Sequence, residues 1–495
     1  MRVSRVTERI LPLPSIGSSM KMMIGGERRD SVSGRVFPVH NPATGDVVGE
    51  APLGGEDDVL AAIEAAGEAF PDWAAKSPRD RAKILFFAAE EVRRRNTDLA
   101  ALLTAEQGKP IREAVDEING FANILEYYHA LSAGLRGEFA NLKGYGRVTV
   151  RRRPLGICGA IIPWNMPAII MGWKIGAALA AGNTMVLKPA RTAPLTCMRL
   201  AEILGEAGLP PGVLNVVTGP GETVGREIAR NPGVRKVSFT GEVGTGRQVA
   251  LDAAPAMKRL TLELGGSDPM IVCDDADIGA AVEGVIRGRY YNCGQVCTAV
   301  KRLYVSDSIA DEFVRRLTAR VETFVVGNGM DRGVGMGPLN NRAGLNRVVN
   351  IVDAARERDE GKIVAGGRAP EGEQYKRGLF FLPTLITGVP HDSVLFSEEI
   401  FGPVLPIAAV SGLDEALELA NNSRYGLGAS VWTRNADTIA RATEELEAGI
   451  VWVNQHLRIP PEVPFGGTKA SGIGRENGSR ALEEYTEEKA VLVRL

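Results

Sequence analysis

From residue 157 onward, short apolar runs alternate with stretches of helical pattern, and this alternation limits the fold more than any other feature of the chain. The runs span 157–162, 184–187, 213–217 and 234–239, and after Glu263 the rhythm resumes at 270–273, 303–305, 404–410, 430–433 and 450–453. Runs that are apolar throughout suit strands covered on both faces, and parallel strands need helical crossovers between them. The pattern therefore predicts an α/β chain with two doubly wound parallel sheets in series rather than one oversized sheet. The length of 495 residues agrees, since roughly 150 residues per domain gives about three units.

Upstream, 57–106 reads as helix: Val59, Leu60, Ile63 and Ala66 recur at helical spacing, as do Ile84, Leu85, Ala88 and Val92. A polar, Gly-containing strip near 134–146 leads into 147–151, whose alternation with basic residues suits an edge or intersubunit strand. Residues 1–20 hold only a short apolar stretch broken by prolines, which is too little for a secretory signal. A flexible extension is expected there, with Met20, Met22 or Met23 as alternative natural starts. No run approaches the roughly twenty apolar residues that span a bilayer, so a cytoplasmic location is expected.

Lys and Arg number 58 against 60 Asp and Glu, a formal charge of -2. No basic excess points to nucleic acid or an anionic membrane, and small-molecule partners are expected. The five cysteines form no zinc-type cluster with His40, His129, His391 or His456, so reduced thiols are expected, with neither a disulfide framework nor a catalytic metal.

Four positions could carry chemistry. Cys297 follows Gly294 and Gln295 in a stretch that suits a loop approaching a substrate, and the amides after it could bond an oxyanion. A buried cysteine is more often inert packing, and Cys293 is the rival. Glu263 ends an apolar strand just before Gly265 and Gly266, where desolvation would raise its proton affinity and suit it as a general base. Without the glycines it would read as a surface carboxylate. Asn165, after Pro163 and Trp164, offers an amide donor, although the segment could be a plain turn. Lys188 ends a strand before Pro189, at the end of an open sheet where ligands bind; a solvated lysine is the plainer reading. The glycine loops at 219–225 and 241–246 depart from G-x-G-x-x-G and are a weak phosphate signal.

Together these segments are specific. The motifs P-W-N at 163–165, K-P-A at 188–190, F-T-G at 239–241, L-E-L-G-G at 262–266, G-Q-V-C at 294–297, E-E-I-F-G-P at 398–403 and P-F-G-G at 464–467 occur in one order. From about Lys21 onward the chain resembles the aldehyde dehydrogenase superfamily, in its hydrolytic, NAD(P)-dependent branch. The resemblance selects Cys297 over Cys293 as nucleophile. It implies an oxyanion held by the Asn165 side chain and the Cys297 amide, hydride transfer to a nicotinamide, and thioester hydrolysis by water that Glu263 activates. Lys174 matches a lysine that supports the cofactor ribose and a proton relay. Coenzyme positions fall on Ile162, Trp164, Lys188, Arg191, Gly221, Gly225, Phe239, Gly241, Leu264, Gly265, Glu399 and Phe401, with Lys188 on the adenosine ribose and Glu399 and Phe401 on the nicotinamide ribose.

Two departures matter. Arg191 stands where many NAD-preferring members carry a glutamate, so NADP use as well as NAD is expected, because arginine can pair with a 2′-phosphate. Glu242 stands where many carry serine near the pyrophosphate, and a carboxylate there must turn away. The substrate pocket implied by position comprises Met166, Trp173, Tyr291, Val296, Thr298, Arg458, Ile459 and Phe465, which suits an aliphatic or aromatic aldehyde. His456 and Arg458 either bind a polar substrate group or face solvent or a neighbouring subunit.

The expected organisation is a coenzyme domain at 21–131 and 155–262 and a catalytic domain at 263–465. A small β element at 136–154 and 482–495 would make a homodimer or homotetramer. A CoA-acylating dehydrogenase is the alternative enzyme, against which Glu263 argues. The alternative from another class is a non-catalytic protein that kept the fold.

Overall fold

The computed structural model describes residues 19–494, and the expected extension lies outside these apart from Ser19 and Met20. Those two are tied down: Ser19 bridges to Glu50, and Met20 N donates to Glu50 O at 3.0 Å. Met22, fully buried, is already in the strand Met22–Ile24, so a start at Met23 would cut into that strand.

Two large sheets carry the fold. The first contains five parallel strands, Ile157–Ile161 (β1), Thr184–Lys188 (β2), Leu214–Val216 (β3), Val234–Thr240 (β4) and Arg259–Glu263 (β5). Their spatial order is β3-β2-β1-β4-β5, extended by antiparallel strands at both edges. The second contains Asp268–Val272 (β6), Val300–Ser306 (β7), Thr384–Thr387 (β8), Val404–Val410 (β9), Gly428–Trp432 (β10) and Ile450–Val453 (β11). Their order is β8-β9-β7-β6-β10-β11, with Lys362–Ala365 antiparallel outside β8. All nine expected runs are strands. β8 was not anticipated; Pro383 immediately before it disguises the run as a turn.

The helical stretch resolves into Glu56–Ala75, Pro78–Arg94 and Asn96–Gln107. Val59, Ile63 and Ala66 face the core as expected, but Leu60 is 44% exposed, because the buried stripe runs through Ala62 instead. Gly146–Pro154 is the middle strand of a three-stranded sheet, between Glu138–Leu142 and Thr486–Val493, which corrects the expected edge strand. Its arginines find partners across the register: Arg153 faces Glu487 and Arg152 faces Glu488, with an Arg152–Glu488 ion pair at 3.1 Å.

Among the described residues no helix is long and apolar enough to cross a membrane.

Candidate active site

The chain runs outward from β1 to β3 and then returns to lay β4 on the other side of β1, so the strand order reverses between β1 and β4. In open parallel sheets ligands bind at this reversal, beyond the carboxyl ends of the strands. The segment after β1 carries Trp164 and Asn165 there, and the segment after β4 carries Gly241 and Glu242. They line a cavity of about 250 Å³ together with Leu264, Gly265, Cys297, Asn341, Arg347, Glu399 and Phe401.

Asn165 is held from three sides. Pro167 opens the helix Pro167–Ala181 (α1), where its fixed φ is pre-set and no N–H is wasted. Glu117 Oε1 accepts from Ala168 N at 2.8 Å, satisfying an otherwise unpaired first-turn amide, and Glu117 also pairs with buried Lys109. Lys109 Nζ donates to Asn165 O at 2.8 Å. The Asn165 side chain gives one N–H to Gln295 O at 3.0 Å. A second side-chain N–H is thus left to the cavity.

The two candidate cysteines separate cleanly. Asn292, Cys293 and Gly294 have φ of 50°, 56° and 72°, a left-handed turn that buries Cys293. For Asn292 and Cys293 this backbone is strained. Asn292 N donating to Glu113 Oε2 at 2.8 Å, Gln107 Nε2 donating to Asn292 Oδ1 at 3.0 Å and Asn340 N donating to Gln295 Oε1 at 2.8 Å fix the turn. Cys297 emerges from it half-buried, and its N–H makes no hydrogen bond among the described residues. Burial pushes its thiol up to about 12, opposed by Lys301 and reinforced by Glu263, Asp268 and Glu399.

A second cavity, of about 320 Å³, lies on the other side of Cys297. It is lined by Met166, Trp173, Tyr291, Val296, Thr298, Ile459 and Phe465, all expected, and by Ile169, Ile170, Leu457, Asp116 and Arg287, which were not. Trp173 and Phe465 pack with ring centroids 4.9 Å apart. Cys297 is the one residue that the two linings share.

Arg458 does not belong to this wall: its side chain is exposed, and only its carbonyl is used, accepting from Trp452 Nε1 at 2.8 Å. His456 fits neither expectation. It is buried, with Nε2 2.7 Å from Thr298 O and Nδ1 2.9 Å from Ser430 Oγ, and burial holds it down to about 4. A neutral ring there braces Thr298.

Glu263, at the end of β5, is 2% exposed and neither oxygen has a hydrogen-bond partner. Burial raises its pKa well above the usual carboxylate value, Glu476 adds to this, and Lys174 and Arg475 oppose it. An orphaned buried carboxylate is costly, and protonation relieves the cost. Its neighbour Gly466 leaves the room: a Cβ there would sit 2.7 Å from Glu263 Oε1. Lys174, fully buried on α1, donates to Ser238 Oγ at 2.8 Å and pairs with Glu476. Its ammonium meets these two partners, and Lys174, like Glu263, lies outside both cavity linings. The pair needed a carboxylate 302 residues away, which no local pattern reveals.

The first cavity suits a dinucleotide. At Gly265 a Cβ would lie 2.2 Å from Glu399 Oε2, and at Gly241 2.5 Å from the Phe239 ring, so glycine at both positions lets those side chains pack against the wall. The helix Val243–Ala253 (α2) begins immediately after Glu242 of this wall, and the unpaired first amides of a helix suit phosphate oxygens. Phe401 meets Trp164 edge-on at 5.6 Å, an apolar shelf for a flat ring.

Of the other expected coenzyme residues, Ile162, Lys188, Gly221, Gly225 and Phe239 sit at the same end of the sheet but outside this lining. Burial brings Lys188 down to about 8, and a Cβ at Gly225 would lie 3.6 Å from its Cδ. Arg191 is exposed with its guanidinium 5.0 Å over the Phe37 ring. Glu242 stays in the lining of the cavity, where its carboxylate is 3.7 Å from Arg347, which also lines it and stands on the helix Arg342–Glu357 (α3). That helix was not foreseen as part of the site.

The family model described as "Aldehyde dehydrogenase family" matches residues 29–491. Solved structures agree along nearly the whole chain. An Escherichia coli NADP-dependent enzyme is 39% identical, with 96% of this chain and 98% of that one covered at a TM-score of 0.94. The NAD+ complex of an aldehyde dehydrogenase from Bacillus cereus is 37% identical, with 97% of each chain covered at 0.94. An NAD-dependent aldehyde dehydrogenase from Sinorhizobium meliloti is 36% identical, with 98% and 97% covered at 0.95.

Proposed function

The chain belongs to the aldehyde dehydrogenase family, and from that premise we propose that it oxidises an aldehyde to the carboxylic acid with NAD or NADP, using Cys297 as nucleophile. The observation that carries this reading is the position of Cys297, shared by an aldehyde-sized apolar cavity and a glycine-walled one. The Cys297 thiol loses its proton to solvent, and the thiolate sulfur bonds to the aldehyde carbon as the C=O π bond opens, giving a thiohemiacetal oxyanion held by the free Asn165 side-chain N–H and the Cys297 N–H. A nicotinamide in the first cavity supplies the hydride acceptor when bound. The thioester left on Cys297 is cleaved by water, whose proton Glu263 takes, and Glu476 with Lys174 gives that proton a buried partner chain.

Residues that would hold the coenzyme are Trp164, Gly241, Leu264, Gly265, Glu399 and Phe401 at the nicotinamide end. Lys188, Arg191, Gly221 and Gly225, with Ile162 and Phe239 beneath, would serve the adenosine end. We assign 21–131 and 155–262 to the coenzyme domain and 263–465 to the catalytic domain. The apolar walls of the second cavity favour an aliphatic or aromatic aldehyde. The five free cysteines fit a reducing, cytoplasmic compartment.

The test is an aldehyde panel assayed with both coenzymes, with and without CoA. NAD(P)H formation without CoA is expected, and strict CoA dependence would replace hydrolysis by acyl transfer. In the same assay Arg191→Glu is expected to weaken NADP use relative to NAD; an unchanged ratio discards phosphate pairing by Arg191. The three-stranded sheet at 136–154 and 482–495 leaves Phe139 63% and Leu492 61% exposed, which fits a homodimer or homotetramer interface. Light scattering is expected to give that mass and to give a monomer for Leu492→Glu with Phe139→Glu. A monomeric wild type removes the element's role.

A further inference from the structure

Lys301 is fully buried on β7, four residues after Cys297. A buried ammonium costs several kcal/mol unless its charge and protons are met. Here Nζ donates to Val296 O at 3.0 Å and to Cys297 O at 2.5 Å, and lies 3.2 Å from Glu399 Oε1. It is also 5.8 Å from the centre of the Phe401 ring. One cation thus ties the nucleophile's own carbonyl to two residues of the first cavity.

The charges that act on the Cys297 thiol are Lys301, which opposes its raised pKa, and the carboxyls of Glu263, Asp268 and Glu399, which reinforce it. Glu263 and Asp268 are buried with no side-chain hydrogen-bond partner, and burial disfavours the charged form of both, raising Asp268 to about 8. Glu399, by contrast, accepts from Gly266 N at 3.2 Å and pairs with Lys301. The Lys301–Glu399 pair thus sits at this loop with its positive end on the Cys297 carbonyl.

We propose that Lys301 is a positioning residue for the reaction: its buried ammonium fastens the Cys297 loop to Glu399 and sets a positive charge on the nucleophile's own carbonyl. This rests on reading Cys297 as the nucleophile and adds a residue that no sequence motif of the site contains.

The test is the pH profile of Cys297 alkylation by iodoacetamide, followed on its peptide by mass spectrometry, without aldehyde or coenzyme. In Lys301→Met the profile is expected to move to higher pH by about one unit, so that alkylation at fixed pH slows about tenfold. Lys301→Gln, which can still donate to the two carbonyls but is neutral, is expected to move it likewise, and Lys301→Arg to restore it. A lowered melting temperature with the wild-type alkylation profile in Lys301→Met and Lys301→Gln would overturn the proposal, leaving a purely structural lysine. Should neither neutral variant fold, Lys301→Arg decides: an upward shift despite the retained charge overturns it, and the wild-type profile upholds it. Because no turnover is read, a wild type that alkylates as expected but oxidises no aldehyde refutes the assigned reaction and leaves this inference standing.

Discussion

Cys297→Ser is expected to abolish aldehyde-dependent NAD(P)H formation, by about 10³-fold or more, or about 4 kcal/mol of transition-state stabilisation. The substitution replaces sulfur by a smaller oxygen, so the two cavities and the left-handed turn at Asn292 and Cys293 should survive. What is lost is the more acidic and more polarizable sulfur nucleophile; a serine hydroxyl here has no histidine to deprotonate it, since His456 is committed to Thr298 and Ser430. Coenzyme binding, read by fluorescence titration, should persist. Unchanged turnover would remove Cys297 from the chemistry altogether. Cys293→Ser is the matched control and should retain turnover, because that thiol is buried and burial raises it beyond its ordinary range.

Glu263→Gln should divide the reaction in two. The neutral isostere keeps the volume beside Gly466 but cannot take a proton from water. Acylation should still proceed, giving a burst of NAD(P)H near one equivalent per site, after which steady-state turnover falls by about 10²–10⁴-fold. The pH dependence follows from the same group. Because burial and Glu476 raise the Glu263 pKa, its base form is present only above that raised value. Hydrolysis should therefore slow as pH falls through it, and the Gln variant should lose that dependence. A variant without a burst, slowed equally in both phases, would place Glu263 before the thioester rather than after it.

The strands and the candidate site residues were legible because their signals are local. Apolar runs at 157–162 and 234–239 declare buried parallel strands, and Cys297 and Glu263 sit in short motifs beside glycines that only close backbone approach explains. What escaped depends on partners distant in sequence. Lys301 and Arg302 interrupt the apolar run, so the strand read as 303–305, whereas β7 spans Val300–Ser306. The two cations are tolerated inside because backbone carbonyls of Val296, Cys297, Ser267, Leu419 and Ala420 receive their protons. Glu476 meets Lys174, and Arg347 meets Glu242, only once the chain has folded. His456 was misjudged for the same reason: its partners Thr298 and Ser430 lie 158 and 26 residues away.

The account depends on a covalent acyl group forming on one sulfur. Acid quenching of Glu263→Gln after mixing with aldehyde and NAD(P)+, followed by peptide mass spectrometry, reads it directly. The peptide containing Cys297 should carry the mass of the acyl group in near-equivalent amount, and hydroxylamine should remove it. An unmodified Cys297 peptide in a preparation that has released its burst of NAD(P)H, or the acyl mass on Cys293 instead, would contradict it.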